Sequence, residues 1–168
     1  MLKWIAASLI ASLLLSGHPA SACATLDGKG EVPPLKTRKP LVGGDDVRLV
    51  TGFGMRRDPM LRELRMHAGI GWAAPRGTPI VAADGGRVVS AGVVEKYGNT
   101  VILDHGGGWQ TLYAHLDTVV VQEGDCIEAQ AAVGSIGSTG LAHGPRLYFE
   151  VRRNGQPINP LTVPVEGE

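Results

Sequence analysis

Three things are scarce in this 168-residue sequence: net charge, aromatic side chains and long hydrophobic runs. Its 16 basic and 16 acidic residues cancel, so the composition suggests no polyanionic partner. There is no basic stripe with interleaved aromatics, and we expect no nucleic-acid partner. Aromatics make up 5% of the residues, whereas glycine is abundant at 24. Glycine at this level, with prominent Val, Ile and Thr, favours short strands and tight turns over helices.

The longest apolar run lies near the beginning of the sequence and is too short to span a bilayer. It extends from Ile5 to Leu15, follows Lys3 and precedes Ala20-Ser21-Ala22, a small-x-small cleavage pattern. We therefore predict that residues 1–22 are a signal peptide. The protein is then exported to the periplasm or cell envelope, and its mature chain has no transmembrane helix.

Cysteine is also scarce, with Cys23 and Cys126 as the only two. An exported chain with two cysteines can form one disulfide, although the spacing does not show that the sulfurs meet. Cleavage after Ala22 would leave Cys23 first, which also allows a lipid anchor at Cys23. A lipidation signal usually has an aliphatic residue three positions earlier, where this chain has Ala20. We favour a soluble exported protein and leave both fates of Cys23 open.

The remaining sequence predicts one all-β domain. Residues 23–46 contain Pro33-Pro34 and Gly43-Gly44 and predict a flexible arm. Residues 47–164 predict the folded unit, and residues 165–168 a tail. Alternating apolar segments are divided by turn signals such as Gly106-Gly107-Gly108 and Asn154-Gly155. This pattern is typical of an antiparallel β-sandwich or partly open barrel.

Several sequence blocks, collinear from Thr51 to Pro160, carry a family resemblance. They are Thr51-Gly52-Phe53-Gly54-Met55-Arg56, His67-Ala68-Gly69-Ile70, Tyr113-Ala114-His115-Leu116, Gly137-Ser138-Thr139-Gly140 and Phe149-Glu150-Val151. Together they resemble the lysostaphin-type (LytM-like) zinc endopeptidases. The resemblance implies a β domain of the duplicated hybrid motif type, a zinc cofactor, and hydrolysis of peptide cross-links in bacterial cell walls.

The chain departs from that family at three of five expected site positions. His67 matches the first zinc ligand, and His115 matches the histidine of the Tyr-Ala-His block. The family's aspartate ligand is replaced by Gly71, and both histidines of its late His-x-His block are replaced, by Arg146 and Tyr148. The resemblance therefore leaves His67 as the only surviving ligand.

The replacements argue against zinc, because a catalytic zinc takes three protein ligands and an open position. Gly71 has no side chain, Arg146 is always charged, and Tyr148 is a neutral phenol near pH 7. We expect no bound cofactor, and we interpret His115 as vestigial. Residues four or two apart share a strand face. The sequence thus predicts one binding groove formed by His67, Gly71, His115, Arg146 and Tyr148.

The leading hypothesis is a non-catalytic wall protein. A guanidinium such as that of Arg146 can hold a carboxylate with two hydrogen bonds. Degenerate relatives, as the resemblance implies, bind the wall or activate amidases, so the expected partner is peptidoglycan or a cell-wall hydrolase such as an amidase. One alternative is an active endopeptidase with a zinc site rebuilt from His67, His115 and His143. Another is a purely structural envelope protein. For His143 an exposed loop position is favoured, and for His105 a structural or surface role.

Overall fold

The computed structural model describes Cys23, Leu35 and residues 37–43, 45–57 and 62–164. Predictions for the signal peptide, for residues 24–34 of the arm and for the tail lie outside the described residues. The strands are β1 (Arg48–Thr51), β2 (Gly54–Arg57), β3 (Leu64–His67), β4 (Ile70–Ala73), β5 (Pro79–Val81), β6 (Gly86–Val94), β7 (Gly98–Gly106), β8 (Trp109–Val119), β9 (Cys126–Ile127), β10 (Ala132–Ile136), β11 (Arg146–Arg153) and β12 (Gln156–Ile158). One short 3-10 helix, Pro160–Thr162, follows.

The strands form an antiparallel all-β architecture, as predicted. The main sheet has the order β1-β4-β11-β8-β7-β6-β9, with β5, β10 and β12 paired off this path. Strands β2 and β3 form a separate two-stranded sheet, which we call the β2–β3 hairpin. No helix in the described part of the chain has the length and apolar character needed to cross a membrane.

Side-chain alternation separates a core side from a groove side across the central strands. Ile70, Phe149 and Tyr113 are register partners across β4, β11 and β8, and all three are buried in the core. The next row contains Gly71 and Tyr148. Because successive side chains on a strand point to opposite faces, this row faces away from the core. Gly71 has no side chain, and the Thr51 hydroxyl occupies the space beside it.

Strand β8 changes partners within its length, and His115 lies at the change. Residues up to Ala114 pair with β11, whereas Leu116 and the residues after it pair with β10. His115 has a φ of 64°, a left-handed conformation that is uncommon for a residue other than glycine. Its backbone N–H donates instead to the Tyr97 carbonyl at 2.8 Å. The partner change thus places the His115 side chain at the edge of the groove side.

Part of the predicted flexible arm belongs to the fold. Leu35 and Leu41 are buried in the core, and the Thr37 N–H donates to the Pro164 carbonyl at 3.1 Å. Leu41 also forms a β-bridge with Ile80. Over Leu35 and residues 37–43 the prediction of a flexible arm is therefore wrong, because apolar side chains anchor this segment despite its prolines.

The two cysteines meet at one edge of the main sheet. Cys23 and Cys126 form a disulfide with their Cα atoms 5.7 Å apart. Cys126 begins β9, which pairs with Gly86 and Arg87 at the start of β6. The disulfide fixes Cys23 beside the folded domain across a sequence separation of 103 residues. A sulfur in this bond cannot also carry a thioether-linked lipid.

Candidate functional site

An open groove of about 360 Å³ lies between the β2–β3 hairpin and the groove side of the central strands. Its lining residues are Thr51, Arg56, Met66, His67, Ala68, Gly71, Lys96, Tyr97, His115, Leu141, His143, Arg146 and Tyr148. A neighbouring hollow of about 430 Å³ shares four of them and adds Leu64 and Arg65. We refer to the two together as the groove. It contains all five residues that the sequence predicts for a binding site.

The route by which these residues come together differs from the prediction in one respect. His67 and Gly71 do not share a strand face, because His67 ends β3 of the hairpin and Gly71 lies on β4 of the main sheet. The chain turns at Ala68 and Gly69, and the alternation rule does not carry across a turn. Arg146 and Tyr148, by contrast, both lie on β11, where the two-residue spacing holds.

His67 has both ring nitrogens engaged. Arg56 donates from an Nη atom to Nδ1 at 3.2 Å, so Nε2 carries the proton and donates to the Thr51 hydroxyl, also at 3.2 Å. Burial first, and then the charge of Arg56, lower the pKa of His67 to about 4. His67 is therefore neutral near pH 7 and links the β2–β3 hairpin to β1.

The space that the family's aspartate side chain would need, beside Gly71, is occupied by the hydroxyl of Thr51. Thr51 on β1 is the direct register partner of Gly71 on β4. A Cβ atom at Gly71 would overlap the Thr51 hydroxyl oxygen, the same oxygen that contacts His67. The Thr51 hydroxyl can therefore occupy this position only because residue 71 has no side chain.

His115 keeps a defined orientation. Its Nδ1–H donates to the Thr139 carbonyl at 2.8 Å, which leaves Nε2 as an acceptor. Burial lowers the pKa of His115, and the Arg146 charge lowers it further, while the hydrogen bond to Thr139 opposes the shift. His115 is therefore a neutral hydrogen-bonding group at the groove wall.

Arg146 brings a positive charge into the groove at the first position of β11. Its Nε donates to the Gly144 carbonyl at 3.3 Å and one Nη donates to the His143 carbonyl at 2.9 Å. Those carbonyls orient the guanidinium without neutralising it. Because guanidinium has five N–H donors, donors remain for a ligand.

Tyr148 is directed at a buried carboxylate. Glu150 is 1% exposed, and its Oε1 accepts hydrogen bonds from the hydroxyls of Tyr148 at 2.7 Å and Tyr97 at 2.8 Å. Its Oε2 accepts from Arg152 Nε at 2.6 Å. Burial, followed by the Glu150 charge, raises the pKa of Tyr148 well above its usual range. Tyr148 therefore remains a protonated donor to Glu150.

These contacts test whether the residues fit a zinc ion. A catalytic zinc needs three protein donors with free lone pairs. Here His67 Nε2 carries its proton toward Thr51, Gly71 offers no donor, and Tyr148 is a phenol held by Glu150. In the described ranges no group of three or more His, Cys, Asp or Glu side chains could share a metal ion. The donor set does not fit the family's metal.

The two remaining histidines of the folded unit lie in different settings. His143 is exposed on its loop and also lines the groove, but it completes no metal cluster with His67 and His115. His105 is buried, with Nδ1 donating to the Gly85 carbonyl at 2.8 Å and Nε2 hydrogen-bonded to the Thr111 hydroxyl at 2.8 Å. Its role is structural.

Sequence reasoning missed several residues that shape the groove. Thr51, Arg56 and Glu150 lie inside resemblance blocks, but the sequence predicts no role for them, nor for Lys96 and Tyr97. A signal existed for Glu150, because a charged residue two positions after Tyr148 must share its face of β11. For Thr51 no local signal existed, because its role depends on the register between β1 and β4.

Comparison with known proteins places this geometry in a family. A profile described as Peptidase family M23 matches residues 65–160. The DD-carboxypeptidase/endopeptidase Mpg of Neisseria meningitidis serogroup B is 43% identical over 116 residues, covering 69% of this chain and 27% of that protein. The murein hydrolase activator NlpD of Salmonella dublin is 42% identical over 94 residues, covering 55% of this chain and 25% of that protein.

A solved structure of a zinc-containing peptidase from Vibrio cholerae has the same fold. It superposes with a TM-score of 0.72 at 25% identity, covering 77% of this chain and 40% of that chain. The chain spans about a quarter of the length of the two sequence relatives. The resemblance drawn from the sequence blocks is confirmed. Because the profile takes in more than half of the chain, including all five predicted groove residues, the chain belongs to peptidase family M23.

Proposed function

We propose that this protein is a non-catalytic module of the bacterial cell envelope whose groove binds peptidoglycan and thereby regulates wall hydrolases. One observation carries the proposal: the side chains at the family's metal-binding positions are absent or committed elsewhere. His67 is committed to Thr51, and Tyr148 to Glu150. Without a metal, a groove of this kind has no activated water for hydrolysis. Its shape and its charge remain available for binding.

The similar proteins have names of two kinds, one for an enzyme and one for an activator of enzymes. One similar protein is named an endopeptidase, and another a murein hydrolase activator. The engaged metal positions favour the second role for this chain. Arg146 supports binding, because a guanidinium can hold a carboxylate with two parallel hydrogen bonds, and wall peptides are rich in carboxylates.

The test uses the purified mature protein with isolated sacculi. We expect the protein to sediment with sacculi, to release no soluble wall peptides alone, and to change the rate at which an added amidase releases them. Metal analysis of protein never exposed to added metal should give zinc well below one ion per chain. Sedimentation should be lost in Arg146→Ala and kept in Arg153→Ala, because Arg153 is stacked on Trp109 outside the groove.

Two results would overturn the proposal. Stoichiometric zinc, with peptide release that a chelator and His67→Ala both abolish, would establish an active endopeptidase with a rebuilt site. A protein that neither sediments with sacculi nor alters amidase activity would be a structural envelope protein.

A further inference from the structure

Among the described residues that line the groove, all charged side chains are cationic. Four cationic side chains line it from four parts of the fold: Arg56 on β2, Arg65 on β3, Lys96 between β6 and β7, and Arg146 on β11. No Asp or Glu is among the described residues that line it. The whole chain has as many acidic as basic residues, so the excess of positive charge is a local property of the groove.

Nothing in the described residues neutralises these cations. Two ion pairs, Arg76 with Asp117 and Arg152 with Glu150, lie outside the groove lining. Glu150 lies behind Tyr148 and is fully engaged by three hydrogen-bond donors. The groove therefore presents a positive field to any ligand that enters it, and clefts of this kind concentrate anions.

The cations extend along the groove and do not converge on a point. Arg146 lines only the part near His115 and His143, whereas Arg65 lines only the part beside the β2–β3 hairpin. Arg56 and Lys96 line both parts. A compact anion such as phosphate could reach one part of this array. An extended ligand with two separated negative groups matches its length.

The groove histidines shape the site without adding charge. His67 is neutral near pH 7 and accepts a hydrogen bond from Arg56 at 3.2 Å, so it is a positioning residue for that guanidinium. Apolar side chains complete the rim, with Leu141 and Leu64 both 70% exposed. Exposed leucines beside cations suit a ligand that combines carboxylates with methyl groups.

We propose that the groove is a binding site for an extended peptide bearing two carboxylates, of the kind found in wall stem peptides, with Arg146 holding one carboxylate and Arg56 with Lys96 the other. This rests on the proposed function and specifies its ligand. Guanidinium–carboxylate pairs are charge-assisted and stronger than neutral hydrogen bonds. Partial enclosure by the hairpin reduces their screening by salt.

The experiment is calorimetric titration of the mature protein with a synthetic Ala-γ-Glu-Lys peptide whose amino groups are acetylated, so that it carries two free carboxylates. The matched probe is the same peptide with both carboxylates converted to amides. We expect the dicarboxylate to bind at least about tenfold more tightly than the diamide. Binding should weaken as salt rises from about 50 to about 500 mM.

Variants separate the groove from general charge effects. Arg146→Ala should weaken dicarboxylate binding about tenfold, and Arg146→Lys should weaken it less, because lysine keeps the charge and loses the paired donors. Lys96→Ala, at an exposed turn, should weaken it severalfold without affecting folding. Arg153 lies on β11 like Arg146, but it is stacked on Trp109 outside the groove. Arg153→Ala should therefore leave dicarboxylate binding unchanged.

Equal affinity for the dicarboxylate and the diamide would overturn the inference, as would wild-type affinity in both Arg146→Ala and Lys96→Ala. Competition by inorganic phosphate at the same concentration as the dicarboxylate would show a single-anion site and would also overturn it. If sacculi still sediment the protein in any of these cases, the proposed function stands and only the ligand assignment fails. Failure of sedimentation itself would remove the proposed function instead.

Discussion

The hydroxyl oxygen of Thr51 occupies the space that a side chain at Gly71 would need. The two residues are register partners on β1 and β4, and a Cβ atom at Gly71 would overlap Thr51 Oγ1. The same oxygen accepts a hydrogen bond from His67 Nε2–H, with the two heavy atoms 3.2 Å apart. An aspartate at residue 71 would therefore overlap a hydroxyl from the neighbouring strand, so packing works against the family's aspartate ligand at this position.

Gly71→Asp should destabilise the domain without restoring a metal site. Overpacking of this kind costs about 1–3 kcal/mol, because Thr51 Oγ1 would have to turn away from residue 71 and give up its hydrogen bond to His67. Thr51→Ala should relieve the overlap, so the double variant should be more stable than the sum of the two single effects predicts. Urea unfolding of the four proteins measures this coupling. Strict additivity would show that the two positions do not compete for space.

Metal binding should require several substitutions at once. Thr51→Ala, Gly71→Asp, Arg146→His and Tyr148→His together remove the blocking hydroxyl and the cation and supply the missing donors. We expect the fourfold variant to bind zinc in a calorimetric titration and the wild-type protein to bind none. The matched control is the threefold variant that keeps Thr51, which should bind much more weakly. Equal zinc affinity with and without Thr51 would contradict the role assigned to this hydroxyl.

Glu150 should be essential for the stability of the groove wall. Its buried carboxylate accepts from Tyr97, Tyr148 and Arg152, and Glu150→Gln would turn an amide N–H₂ toward the donors of Arg152 or of the tyrosines. Loss of hydrogen bonds to this charged group costs about 1.5–3 kcal/mol, because Arg152, whose side chain is 28% exposed, keeps partial access to water. Tyr97→Phe, the control, removes one donor and should cost about 1 kcal/mol. Equal losses in urea unfolding would show that the carboxylate charge is unimportant.

The blocks that carry the family resemblance were enough to predict the fold and the residues that meet in the groove. His67 and His115 could be placed by their motifs, and strand alternation, a local property, also held for Arg146 and Tyr148 on β11. Their partners could not be placed. Thr51 contacts His67 only because β1 pairs with β4 in one particular register, and no local pattern in the sequence specifies that register.

The predicted arm, residues 23–46, also shows that local sequence does not predict long-range contacts. Prolines and glycines in residues 23–46 predict a segment without regular structure, and Leu35 and Leu41 do lie outside regular strands. Both side chains are nevertheless buried in the core. Composition reports the backbone preference of a segment, whereas burial depends on whether the domain leaves an apolar surface for it to cover.

Acid should destabilise the protein through His105. Burial lowers the pKa of His105 below its ordinary value of 6.5, so below pH 6.5 the unfolded chain binds more protons than the folded one. The free energy of unfolding must then fall as the pH falls below 6.5, by at most about 1.4 kcal/mol per pH unit for this group. The loss ends once the pH is below the folded pKa. Urea unfolding between pH 7.5 and pH 5 measures the slope.

His105→Gln is the control for this pH dependence. Glutamine can keep hydrogen bonds to Gly85 or Thr111 but does not titrate, so the slope should become shallower even if the variant is less stable at pH 7.5. His67 and His115, whose pKa values are also lowered, should account for the remaining slope. An unchanged slope in His105→Gln would assign the acid sensitivity to those two histidines alone.

The disulfide between Cys23 and Cys126 should be present in protein recovered from the cell envelope and should contribute to stability. It closes a loop with a sequence separation of 103 residues, for which chain-entropy arguments give about 4–5 kcal/mol. Reductant should therefore lower the urea midpoint of the wild-type protein and leave that of Cys23→Ser/Cys126→Ser unchanged. Mass spectrometry of an unreduced digest should recover the two cysteine peptides joined. A lipid-modified Cys23 peptide with a free Cys126 thiol would contradict the disulfide, because one sulfur atom cannot form both bonds, and it would establish a membrane-anchored protein.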